Sequence, residues 1–166
     1  MRKPGIAAER KGGLPYAEDV PYWKTATAGP DAWIEKAEKE ITRAGGVILA
    51  EAFGSEGSTG RSAFMLGFQL HGDEFKVLWP VLPSRADDNR AAKRQAATML
   101  YHDVKARCVT ARVLGARTAF FNYLMLPDGR NVTALSTPEL LKATPAILQD
   151  RRMLDEGQGP RRSGGE

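Results

Sequence analysis

The stretch "SAFMLGFQLHGDEFKVLWPV", residues 62–81, decides how this chain is read. From Ser62 to Leu70, Phe64, Leu66, Phe68 and Leu70 alternate with smaller or polar residues, the period of a strand with one buried face. His71-Gly72-Asp73-Glu74 has hairpin-turn chemistry, and Phe75 to Val81 returns as the next strand before Pro80 and Pro83 end it. A two-stranded antiparallel core is therefore expected here.

Outward from the hairpin, "GSEGSTG" at 54–60 reads as a loop and Val47 to Phe53 as a further strand. Pro30-Asp31 opens a helix, since proline is preorganised for the first helical position and an acid suits the N-terminal dipole. Trp33, Ile34, Ala37, Ile41 and Ala44 form its apolar stripe, and Gly45-Gly46 closes it. Downstream, Ser84 and Asp87 are candidate caps for a long helix to Leu114, with Ala96, Leu100, Val104 and Ala111 as its buried stripe. "TAFFNYLML" at 118–126 reads as a fourth strand, "PDG" at 127–129 as a turn, and 131–134 as a short return strand. Thr137 and Pro138 start a last helix with Leu140, Leu141 and Ile147. The order α-β-β-β-α-β, with a terminal hairpin and helix, predicts an α+β domain: three to four antiparallel strands packed by a long helix.

The 166 residues, 42% of them hydrophobic, fit one domain with a substantial core. Residues 1–29 and 149–166 are rich in Gly, Pro, Arg and Lys without an apolar period, so they are expected to be a disordered basic arm and tail around a domain at 30–148. Cys108, the single cysteine, excludes an intramolecular disulfide and a cysteine-based zinc site, and its helical spacing makes it a small core residue. No 18-residue apolar run exists, and Arg2-Lys3 precede no apolar stretch. A reducing cytoplasm is the expected setting.

Charge is unevenly placed within the net +4. Residues 30–60 carry six acids against three bases, whereas 85–117 carry eight bases against three acids. At 100° per residue, Arg90, Arg94, Tyr101, Lys105 and Arg112 fall within about 60° of one another, a basic ridge with an aromatic in its middle. Lys93 and Arg107 fall nearer the apolar side, where long stems snorkel.

Catalytic chemistry finds few parts. His71 sits in a turn, and His102 lies beside Asp103 on a helix, where neighbouring side chains diverge and cannot form a base and its orienting group. Two separated histidines make a poor zinc site. "GSEGSTG" lacks the lysine and the strand-to-helix setting of a phosphate loop. The element order resembles the core of restriction-endonuclease-like nucleases, and Glu74-Phe75-Lys76 matches their acid-x-lysine pair. However, no acid lies between Arg61 and Leu70, and Glu56 is in the loop, which leaves one carboxylate to hold magnesium. No metal and no cofactor are expected.

A cationic track with aromatic faces suits single-stranded nucleic acid instead. The candidate binding residues are Arg61 at the loop mouth and Arg90, Lys93, Arg94, Tyr101, Lys105 and Arg112 on the long helix. The arms add Arg2, Lys3, Arg10, Lys11, Arg151, Arg152, Arg161 and Arg162, and Tyr16, Tyr22 and Trp23 are further aromatics outside the core.

By element order, Asp31 to Gly115 resembles two nucleic-acid-binding families. One is the double-stranded-RNA-binding domain, α-β-β-β-α, whose second helix begins with basic and small residues as "RAAKRQAA" does at 90–97. The other is the phage single-strand annealing proteins, in which a helix beside a β-β-β core carries bases along a groove and the protein assembles into rings or filaments. Either resemblance implies that Arg90, Lys93 and Arg94 contact phosphates. "KARCVTARVLGARTAFFNYLMLPDGRNV" at 105–132 is also similar to small proteins of phages and mobile elements of high-GC bacteria, which implies no activity. The expected function is non-catalytic binding of nucleic acid, single-stranded DNA foremost, as a phage-type accessory of replication or recombination. The competing expectation is a protein-interaction or self-assembling module that works through an exposed strand edge, with a homo-oligomer as its product. A metal-dependent nuclease centred on Glu74 and Lys76 is the third.

Overall fold

The computed structural model describes residues 14–55 and 61–132. Helix α1 spans Pro30–Arg43, with Gly29 as its N-cap and proline at the start; Ile34, Ala37 and Ile41 face inward at helical spacing. The chain leaves it through Gly45, at φ 91°, where Gly45 and Gly46 donate to the carbonyls of Thr42 and Ile41 (3.0 and 2.9 Å). A side chain at Gly46 would lie 2.6 Å from the Ile41 methyl and 2.9 Å from the Gln69 carbonyl, so only glycine lets α1 turn directly into the sheet.

Strands β1 (Val47–Ser55), β2 (Ser62–Leu70) and β3 (Asp73–Pro80) form one antiparallel sheet in that order. The β2–β3 connection is the two residues His71 and Gly72, at φ 52° and 83°. Positive φ at both central positions is the twist that a two-residue hairpin favours. Alternation puts Phe64, Leu66, Phe68, Leu70, Phe75 and Val77 on one face, all buried beneath the two long helices. Helix α2 runs Asn89–Leu114, capped by Asp88, whose carboxylate accepts from the Ala91 amide at 3.0 Å. The capping role expected of Ser84 or Asp87 falls to Asp88. Ser84 instead donates to Glu18 at 2.6 Å. Ala96, Ala97, Leu100, Val104, Cys108 and Ala111 of α2 join Ile34, Ala37 and Ile41 of α1 over the sheet. The antiparallel α+β architecture read from the sequence is the one observed.

Two further expectations are corrected. Residues 118–126 are not a fourth strand. Gly115, at φ 90°, ends α2, and a one-turn helix α3 (Ala116–Ala119) and a 3-10 turn (Phe121–Tyr123) follow. Strand geometry would send Phe120 and Phe121 to opposite faces of a layer. The turn instead drives Phe120 fully into the core, 5.1 Å from Phe68 and 5.5 Å from Phe75 between ring centroids. Only single bridges survive, Leu124 with Phe75 and Met125 with Asn131, across the expected turn at Gly129. They cover the outer edge of β3, with the Met125 amide donating to the Glu74 carbonyl at 2.9 Å.

The second correction concerns the domain's start. Residues 14–29 are not a loose arm but a strap lying across α2, with Ala17 fully buried and packed near Leu82 and Ala92. The remainder of the expected arm (1–13), residues 56–60 of the expected loop, and everything from residue 133, including the expected last helix and tail, lie outside the described residues.

Candidate nucleic-acid interface

Helix α2 lies between the sheet, α1 and the strap, and this decides which of its basic residues can meet a ligand. The strap is fastened by Gln95, 1% exposed, whose side-chain amide lies 2.8–3.0 Å from the carbonyls of Ala17, Val20 and Pro21. Ionic contacts add to this along the start of α2. Asp19 takes both guanidinium nitrogens of Arg85, Lys24 pairs with Asp88 at 3.2 Å, and Glu18 accepts from Ser84 and the Ala86 amide. The Ser84 hydroxyl is the main cause that holds the Glu18 carboxyl down at about 2. Tyr22 stacks on His102, 4.8 Å between centroids and nearly parallel. Strap residues Tyr22 and Lys24 hold left-handed φ of 69° and 53°, which non-glycine residues adopt only when their surroundings impose it.

The expected ridge is therefore divided. Arg94 is drawn into the seam between strap and helix, donating to the Ala26 carbonyl at 3.3 Å, and its Nε is buried. Tyr101 is half-buried against Trp33 of α1, 5.3 Å between centroids. Lys105 and Arg112 are exposed further along, with the Lys105 ammonium 5.7 Å from the Tyr101 ring. Lys93 and Lys105 are twelve residues apart, about 18 Å along the helix.

The other candidates gather at one end of the molecule. The ends of β1 and β3 and the start of β2 lie together there, and α2 begins beside them. Arg61 precedes β2, next to Ser55 and Ser62, whose hydroxyls are 3.1 Å apart. Arg90 is exposed on the first turn of α2. Three residues on, Lys93 lays its stem toward the sheet as its position near the apolar side implied, and its ammonium sits 4.0 Å over the Phe53 ring and 5.9 Å from Phe64. The structure thus brings Arg61, Arg90 and Lys93 to one end of the sheet and separates Arg94, Tyr101, Lys105 and Arg112 from them.

Phe53 was not singled out in the sequence, where it reads as one more strand residue. Its 44% exposure follows from its place on the edge strand, opposite Phe64 with 4.8 Å between ring centroids. The aromatics that were singled out have other neighbours: Tyr16 beneath Arg85, Tyr22 on His102, Trp23 in the small cluster under the strap.

The remaining chemistry is structural. Arg107 ties Asp103 (2.8 Å) to the Ala119 carbonyl (2.8 Å), and Tyr123 donates to the same Asp103 at 3.1 Å, with burial foremost in raising its hydroxyl to about 12. Arg117 clasps Asp73 through two bonds. Cys108 is buried as expected of a small core residue, and burial pushes its thiol up to about 11. Glu74 and Lys76 flank buried Phe75 on the opposite face of β3. Among the described residues no group of three His, Cys, Asp or Glu side chains is arranged to hold a metal ion, and no helix is long and apolar enough to cross a membrane. Comparison with family models, with characterised proteins and with solved structures finds no match to this chain.

Proposed function

We propose that this chain binds nucleic acid without chemically altering it, and that Arg61, Arg90 and Lys93 supply the phosphate contacts. The observation that carries the reading is how the cations are used. Lys24, Arg85, Arg107, Arg117 and Arg130 are each paired with a carboxylate. Arg90 and Lys93 have no carboxylate partner among the described residues, yet stand a helical turn apart beside the loop mouth. Two cations without a carboxylate partner, Arg90 and Lys93, set a turn apart attract a polyanion more than they stabilise a fold.

Fluorescence anisotropy with labelled single-stranded DNA, duplex DNA and duplex RNA tests the reading. Three neutralised phosphates on a single strand predict a loss of about 20-fold in affinity between 50 and 200 mM salt. No binding at low salt to any of the three would remove it.

A second reading, a module that pairs with protein through its sheet edge, has its own observation. Eight of the nine residues of β1 are exposed, Val47, Leu49 and Phe53 among them, and no described strand lies beyond it. Open edges of this kind template strand addition. Light scattering that shows an assembly persisting in high salt would favour this reading, and a monomer under the same conditions would oppose it.

A further inference from the structure

We infer that Phe53 is a stacking subsite for an unpaired base, covered by Lys93 until a phosphate draws that ammonium away. The inference rests on the phosphate-binding reading and narrows it to single-stranded nucleic acid.

Three features carry it. First, Phe53 is the strongly exposed aromatic at the basic end of the sheet, and its neighbour Phe64 is 5% exposed, so the ring stands on a fixed support. Second, the group over its ring is a cation with no carboxylate partner among the described residues, 4.0 Å from the centroid. An exposed cation–ring contact is weak, whereas an ammonium–phosphate contact is charge-assisted and stronger. A phosphate therefore wins the ammonium, and the vacated ring face is open to the base carried on the same nucleotide. Third, the aromatic that the sequence placed in the track, Tyr101, is packed against Trp33 and half-buried, so stacking there would require the core edge to open. A duplex keeps its bases stacked on one another and offers none to Phe53.

The test separates base from phosphate. Affinities are measured at low salt for a labelled oligothymidylate and for an abasic strand of the same length, which keeps the phosphates and lacks the bases. Stacking on one aromatic is worth roughly 5- to 150-fold by side-chain truncation, so the unaltered protein should favour oligothymidylate about 10-fold. Phe53→Leu keeps an apolar side chain on the strand and should bring both strands to the abasic level. Phe53→Trp should keep the preference. Lys93→Gln should weaken both strands alike and leave their ratio intact, because the ring is then already uncovered. A Phe53→Leu protein that still favours oligothymidylate about 10-fold overturns the subsite. Equal, salt-sensitive binding of both strands by the unaltered protein also overturns the subsite but leaves the phosphate contacts standing. Binding to neither strand overturns both.

Discussion

The two halves of α2 both carry bases beside apolar residues but have different surroundings. From Asn89 to Tyr101 the helix is enclosed by sheet, α1 and strap, so that Ala91, Ala92, Gln95, Ala96, Ala97, Thr98 and Leu100 are buried around most of its circumference. Beyond His102, on which Tyr22 stacks, the strap is gone, and Val109 and Val113 are 58% and 78% exposed. The helix drawn from the sequence was a ridge of bases beside an apolar stripe along its whole length. A sixteen-residue segment without regular periodicity closes that ridge at Arg94, and Trp33 of α1 covers it at Tyr101, which leaves it open at Arg90, Lys93, Lys105 and Arg112.

The largest effect is expected at Gln95. Gln95→Ala removes the donor from three strap carbonyls inside the enclosed half, which should cost about 2–4 kcal/mol in urea-induced unfolding. Hydrogen exchange at the Ala17 amide, bonded to the Pro83 carbonyl at 2.9 Å, should quicken in the same variant. Exchange at Ala17 that is unchanged by Gln95→Ala would mean that the glutamine does not fasten the strap.

Acid should loosen the strap next. The folded Glu18 carboxyl lies at about 2 against an ordinary 4.5, so the unfolded form binds the extra proton between those values. The stabilisation from Glu18 is complete above about pH 5 and is lost as pH falls through about 2. Protection of the Ala17 amide, taken relative to its intrinsic exchange rate at each pH, should fall as pH drops across that window, and Glu18→Gln should flatten the dependence. At the bare end, Val113→Ser should change stability by less than about 0.5 kcal/mol, because the side chain is already in water. A large loss there would show that another surface covers the end of α2.

How much of this was legible follows from which signals are local. The β2–β3 hairpin, α1 and the span of α2 were readable, since strand alternation, Pro30, Gly45-Gly46 and the spacing of Ala96, Leu100 and Val104 act over a few residues. The strap was not, because "LPYAEDVPYWKTATAG" at 14–29 has no period and docks only through partners more than 60 residues away, such as Ser84, Arg85 and Gln95. One clue was present. Ala91, Ala92, Ala96 and Ala97 are small on more than one side of the helix, a pattern that belongs to a helix enclosed rather than half-solvated. "TAFFNYLML" misled because a short apolar run fits strand and buried turn equally well. Of the candidate site, Arg90 is read from charge and angle, Arg61 from its place at the loop mouth and Lys93 from the basic cluster of the resemblance, whereas nothing in the sequence marks Phe53, which the fold sets beneath the Lys93 ammonium.

The most direct measurement compares the two open ends of the ridge in one binding assay. Labelled single-stranded DNA at about 50 mM salt is titrated with Arg90→Glu/Lys93→Glu and, separately, with Lys105→Glu/Arg112→Glu. The first pair, which removes phosphate contacts, should lose more than about 50-fold in affinity, and the second, which alters only the surrounding field, about fivefold or less. Equal losses from the two pairs, or a larger loss from the second, would contradict the placing of the phosphate contacts at Arg90 and Lys93.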